Sequence, residues 1–243
     1  MENRTEEREW MQRTVQLLGT DKTERMQRAH VLVVGLGGVG AYAAEMLVRA
    51  GVGRFTLMDA DTVQPTNINR QLCALHSTTG RSKVEVLADR FRDINPEVEL
   101  CVRRTYLQAE DVPALLQEGA FDFVVDAIDT IAPKCALIAG ALKHRIPLVC
   151  SMGAGAKTDI TQIAFSDLWA TYHCGLSKAV RNRLKGMGLK GRPVPVVFCT
   201  QQADPSAVVP VDGERNKKST TGTVSYMPAV FGCYLAHYVI AHL

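Results

Sequence analysis

Short apolar runs alternate along this chain with segments whose apolar residues recur at helical spacing. The runs at 30–34, 54–58, 97–103, 121–126 and 147–150 read as strands, and the first is a continuous apolar run ending in glycines, the pattern of a strand buried in a parallel sheet. Between them, residues 38–50, 83–94, 109–118 and 132–144 read as helices; the second of these is ended by Asn95-Pro96. Strand and helix in strict alternation require right-handed crossovers and a mostly parallel sheet. Upstream, residues 4–18 and 21–28 predict two more helices, with Asp21 as the cap of the second. After Gly155 the style changes. Strands are expected at 161–165 and 194–200 with a helix at 176–185 between them. A polar crossing loop, 201–223, then leads to a last apolar helix from 224 to 243.

The expected fold is therefore α/β, a Rossmann-like, mostly parallel sheet with flanking helices and a C-terminal extension of mixed strands and helix. One domain should span 1–243. Within it we expect N-terminal helices at 1–29, a nucleotide-binding core at 30–155, and a substrate and dimer lobe at 156–243. A chain of 243 residues buries roughly 70–75% of its unfolded surface and needs no staples. Composition changes this picture little: 47% apolar, 22% charged and a net charge of +3 are ordinary soluble values. The seven cysteines, Cys73, Cys101, Cys135, Cys150, Cys174, Cys199 and Cys233, form no C-x-x-C pair, so a structural zinc site is not expected. Scattered in apolar runs, they read as reduced thiols of a cytoplasmic protein. Glu2, Arg4, Glu6, Glu7, Arg8 and Glu9 exclude a signal peptide, and Pro228, His237 and His242 interrupt the final apolar stretch, so membrane contact is not expected.

The chemistry begins at Gly35-Leu36-Gly37-Gly38-Val39-Gly40, between a strand and a helix. Gly35 permits a tight turn, Gly37 the approach of a phosphate, and Gly40 close helix–strand packing. Helical N–H groups then face the anion. Asp59 closes the second strand, where a carboxylate binds ribose hydroxyls. By these features alone a nicotinamide dinucleotide is the default ligand. Asp61, Asn67, Arg70 and Lys83 follow at once, however, and fixed cations there suit a triphosphate whose pyrophosphate leaves with growing charge.

Together these residues, with Asp126-Ala127-Ile128-Asp129, resemble the ubiquitin-activating-enzyme-like superfamily of adenylating enzymes. The densest agreement is with its tRNA threonylcarbamoyladenosine dehydratases. It lies in Arg13-Thr14, Leu17-Leu18-Gly19, Thr66-Asn67-Ile68-Asn69-Arg70-Gln71, Pro133-Lys134 and Met152-Gly153-Ala154-Gly155. The resemblance implies that Gly37 and Gly38 contact phosphate, that Asp59 and Asp61 serve the nucleotide site, and that Asn67, Arg70 and Lys83 hold the triphosphate of ATP. It implies that Asp129, rather than Asp126, positions Mg2+, and that Arg13 reaches into the neighbouring subunit of a homodimer. The implied reaction adenylates the threonyl carboxylate of a modified tRNA nucleoside; the carbamoyl group then closes a ring and expels AMP. A sulfur-relay protein would fit the family context. No covalent thiol is required, so Cys174 and Cys199 are expected to be dispensable. For the tRNA, Lys178, Arg181, Arg183, Lys185, Lys190 and Arg192 form a stretch without acidic residues, and Arg215, Lys217 and Lys218 add a second cluster. The alternative is an adenylyltransferase for a ubiquitin-like sulfur carrier, whose members often carry two C-x-x-C pairs missing here. A nucleotide-sensing scaffold and an NAD-dependent dehydrogenase are weaker rivals, the latter resting on the glycine turn alone. DNA is not an expected partner.

Overall fold

The computed structural model describes residues 9–210 and 219–243. Its centre is a seven-stranded sheet built from β1 (His30–Val34), β2 (Arg54–Met58), β3 (Glu99–Arg103), β4 (Phe123–Asp126), β5 (Leu148–Ser151), β6 (Ile163–Asp167) and β7 (Pro195–Cys199). The strand order is β3-β2-β1-β4-β5-β7-β6, parallel throughout except for β6, which runs antiparallel to β7 at the edge. β1 pairs with both β2 and β4, so the chain reverses its direction of travel across the sheet between β1 and β4. The two strands expected after residue 155 thus extend the same sheet.

The central strands are covered on both faces, which is why β1, β4 and β5 read as apolar runs. On one face Val31, Val33, Phe55, Leu57, Phe123 and Val125 pack against α2 (Thr20–Arg28), α3 (Gly40–Arg49), α4 (Lys83–Ile94) and α8 (Tyr226–His242). On the other, Leu32, Val34, Val124, Leu148, Cys150 and Val196 meet α5 (Val112–Glu118), α6 (Ile131–His144) and α7 (Gly175–Gly186). Each fully buried aliphatic side chain here contributes about 1.5–3 kcal/mol. α3 and α4 are also tied by charge: buried Glu45 takes hydrogen bonds from Arg49 Nε at 2.9 Å and from Arg90 NH2 at 2.9 Å. Burial pushes the Glu45 pKa up, but its two arginines prevail and hold it below the ordinary glutamate value.

Three local expectations are corrected. The second N-terminal helix starts at Thr20 with Gly19 (φ 80°) at its cap, so Asp21 sits in the first turn and faces the helix dipole instead of capping. The first helix, α1, is Gln12–Leu18, preceded by a single turn at Glu9–Met11; its expected start at residue 4 lies outside the described residues. The crossing loop contains a small antiparallel ladder, β8 (Val208–Pro210) against β9 (Ser219–Thr221). α8 is a core element with Met227, Phe231, Leu235 and Val239 buried, and among the described residues no helix is long and apolar enough to cross a membrane.

Candidate functional site

A cleft of about 730 Å3 opens where β1, β2, β4 and β5 end. This is the switch point of the sheet, where the loops leaving neighbouring strands turn to opposite faces. Gly37, Gly38, Asp59, Asp61, Arg70, Lys83 and Asp129 all line it. The glycine turn is made as expected: Gly35 has φ +87°, and a Cβ there would lie 2.7 Å from the Ala127 carbonyl oxygen. Gly38 lies under α8, since a Cβ on it would meet Pro228 Cβ at 3.0 Å.

Asp59 does more than close β2. Its Oδ2 accepts a hydrogen bond from Leu36 N at 2.7 Å, and its Oδ1 accepts one from Asp61 N at 2.8 Å. One carboxylate therefore fixes the glycine turn and the start of the following loop. Burial raises its pKa; the nearby Lys83 ammonium and the two N–H donors only partly offset that. Lys83, the first residue of α4, is buried, and its Nζ lies 2.8 Å from Asp61 Oδ2. Asp61 itself is exposed, so among the described residues the cation on the cleft wall makes its ion pair with a carboxylate on the rim. Arg70 NH1 donates to Thr66 O at 2.9 Å and to Asn69 Oδ1 at 2.9 Å. Among the described residues no carboxylate lies within ion-pair distance of Arg70, so its charge is held in place by neutral oxygens.

Asp126 and Asp129 have separate places. Asp126 is fully buried: its Oδ2 lies 3.0 Å from Lys134 Nζ, its Oδ1 accepts from Ile128 N at 3.0 Å, and Lys134 Nζ also donates to Ile128 O at 3.0 Å. This pair braces the turn that carries Asp129. Asp129 stands exposed on the cleft lip, its Oδ1 accepting from Thr130 Oγ1 at 3.2 Å. Two expected site residues do not line the cleft. Asn67 is buried behind the wall; its Oδ1 accepts from Gln64 N at 3.0 Å and its carbonyl from Arg70 N and Gln71 N. It shapes the loop that carries Arg70. Arg13 is exposed on α1 and lies outside the cleft lining. Among the described residues no group of three or more His, Cys, Asp or Glu could hold a metal by itself.

Sequence reasoning passed over several other residues of the lining. Thr105, Tyr106 and Leu107 follow β3, Ser151 ends β5, and Thr220, Thr221 and Thr223 come from β9 and the turn into α8. Their only sequence signal is position, at the ends of strands. Cys174 caps α7: its Sγ accepts from Gly153 N at 3.4 Å and Ser177 N at 3.5 Å, while Cys199 is buried. Along the basic stretch Lys178, Arg183, Lys185, Lys190 and Arg192 are exposed. Arg181 turns inward, donating to Leu168 O at 3.3 Å and Thr171 O at 2.9 Å, so it leaves the basic face. The second cluster, Arg215, Lys217 and Lys218, lies outside the described residues.

Known proteins resemble this chain over much of its length. The tRNA threonylcarbamoyladenosine dehydratase of Bacillus subtilis is 37% identical over 237 residues, 93% of this chain and 91% of that protein. The Escherichia coli protein of the same name is 44% identical over 179 residues, 72% of this chain and 66% of that protein. A crystal structure of the E. coli enzyme in complex with ATP superposes with a TM-score of 0.87 at 36% identity, covering 96% of this chain and 93% of that one. The molybdopterin-synthase adenylyltransferase of E. coli is a more partial relative, 35% identical over 63% of this chain and 61% of that protein. Residues 11–243 match the ThiF family, and the chain belongs to it.

Proposed function

We propose that this protein is an ATP-dependent tRNA threonylcarbamoyladenosine dehydratase that works as a single adenylating domain over 1–243. The observation that carries the reading is the joining of Gly37, Gly38, Asp59, Arg70, Lys83 and Asp129 in one cleft, in a chain similar along its length to enzymes of that name. The carboxylate of the threonyl group is a poor electrophile. Its attack on the α-phosphate of ATP forms a C–O–P mixed anhydride and releases pyrophosphate. The neighbouring carbamoyl group then attacks the activated carbonyl, closes a ring and expels AMP, so the loss of water is driven by ATP cleavage.

The chain's own residues divide this work. Asp59 receives the ribose hydroxyls, and the N–H groups of Gly37 and Gly38 face the phosphates. Arg70 and Lys83 neutralise the departing pyrophosphate, Lys83 exchanging rim-exposed Asp61 for a phosphate oxygen. Asn67 acts through the loop it shapes. An exposed carboxylate at the lip suits Mg2+, which keeps several waters and takes one or two carboxylates beside substrate phosphates; Asp129 would hold it. Bound there, the ion screens phosphate charge. Arg13, outside its own cleft, is assigned to the cleft of a second copy in a homodimer. The exposed basic face of α7 and the segment after it contacts tRNA, and a sulfur-relay partner is compatible with this reading. The protein acts in the cytoplasm.

The test mixes purified protein with ATP and tRNA carrying the threonylcarbamoyl group, and follows pyrophosphate, AMP and the nucleoside by mass spectrometry. Stoichiometric AMP with a nucleoside lighter by one water is expected. Turnover with a ubiquitin-like carrier and none with tRNA would establish the sulfur-carrier adenylyltransferase instead. For Arg13, a mixture of Arg13→Ala and Lys83→Met copies should recover activity that neither has alone.

A further inference from the structure

Two polar groups in the cleft have no hydrogen-bond partner among the described residues. Gln71 is buried, and its amide makes no hydrogen bond to any described residue; its Oε1 is wholly shielded. The amide stands over the glycine turn, with Nε2 3.8 Å from where a Cβ on Gly37 would be. The second group is Thr223 Oγ1, equally shielded and unpaired. Thr223 borders the same loop, because its carbonyl accepts from Asn69 Nδ2 at 3.3 Å. Both residues line the cleft. Unpaired buried polar groups are uncommon in native proteins and cost about 1–3 kcal/mol each, so a pair of them in one cleft points to a ligand that completes them.

The nature of the missing partner follows from what each group can do. Gln71 Nε2 only donates, and a carbonyl oxygen completes it. Gln71 Oε1 only accepts, and phosphates offer it nothing. The N–H and O–H donors of ATP lie on its ribose and base, and the function proposed above gives the ribose hydroxyls to Asp59. The donor for Oε1 must then come from the molecule being activated. An N-carbamoyl amino acid presents urea N–H donors, a urea carbonyl and a hydroxyl close to its carboxylate, which is the set that an amide and a threonine hydroxyl complete.

We infer that Gln71 and Thr223 form the acyl-substrate subsite of this cleft, reading the uncharged ureido portion of the substrate beside the carboxylate to be adenylated. This rests on the function proposed above, but its test is separable. A site built to hydrogen-bond a substrate N–H or O–H discriminates against complexes that leave its polar groups unpaired. Thr223→Val keeps the shape and removes the hydroxyl; Gln71→Leu removes the amide. With the modified tRNA as substrate, each should lower kcat/KM by about 10–100-fold, chiefly through KM. Affinity for ATP in the absence of tRNA, measured by calorimetry, should stay within about twofold of wild type.

Parallel losses of ATP affinity and tRNA turnover would assign the pair to the nucleotide and overturn the inference. Unchanged kinetics in both variants would overturn it equally. Unimpaired ATP binding by each variant also reports that it is folded. Wild-type protein that releases no AMP with the modified tRNA would instead refute the proposed function, a result that is read without any variant.

Discussion

Lys83 and Asp59 show how single residues can set the behaviour of the cleft. Lys83 is buried while its partner Asp61 is exposed, so removing the ammonium leaves behind a carboxylate that water can solvate. Lys83→Met should therefore unfold at nearly the wild-type urea midpoint, yet lose about 10²–10³-fold in pyrophosphate release. Asp59 makes a prediction in pH. Burial raises its pKa above the ordinary aspartate value of 3.8, so the folded protein takes up this proton more readily than the unfolded chain. Its contribution to stability is thus complete at low pH and is lost as pH rises through the raised value. Nucleotide binding runs the opposite way, because ribose hydroxyls need the carboxylate. ATP affinity should fall as pH drops through the same raised value, in a window above 3.8, and Asp59→Asn should bind weakly with no such dependence. Calorimetric titrations carried upward from the ordinary aspartate value of 3.8 check both statements.

At the scale of elements, Asp126 and Lys134 connect β4 to α6 beneath the turn carrying Asp129. Both side chains are fully buried, so removing one strands the other: Lys134→Met should cost about 3–5 kcal/mol in urea unfolding. Adding Asp126→Asn should recover part of that, since a neutral amide can still accept from Ile128 N. Elements were also what the sequence revealed best. β1, β2, α4 and α6 fall within a residue of their predicted bounds, because buried parallel strands and helices of three or more turns leave long periodic patterns. β8 and β9 left none: strands of three residues are too short for a period, and Ser219-Thr220-Thr221 reads as loop. The Gly37, Gly38, Arg70 and Lys83 side of the cleft was legible because glycine spacing and clustered cations are local signals. The part lined by Thr223 was not, because Thr223 lies 152 positions from Gln71 and reaches the same cleft only through the fold. The inward turn of Arg181 was hidden for the same reason, since its partners are backbone carbonyls.

For the whole molecule, the placement of charge matters more than the net value of +3. Lys185 and Arg192 belong to the exposed basic face, away from the cleft lining. Lys185→Glu combined with Arg192→Glu should weaken tRNA binding and flatten its dependence on salt, by about 0.7–0.9 in log–log slope for each phosphate that the protein no longer neutralises. Binding of ATP to the same protein should be unaffected, which separates the two surfaces by one pair of titrations.

The seat of Pro228 against Gly38 has a consequence for synthesis. Chains emerge from the ribosome N-terminus first and fold as they come. The glycine turn, Asp59 and Lys83 are therefore synthesised well before α8, the helix that seats Pro228 on Gly38. On the function proposed above, a nascent chain still lacking α8 carries the phosphate-facing turn uncovered, and adenylation should wait until that helix has been made.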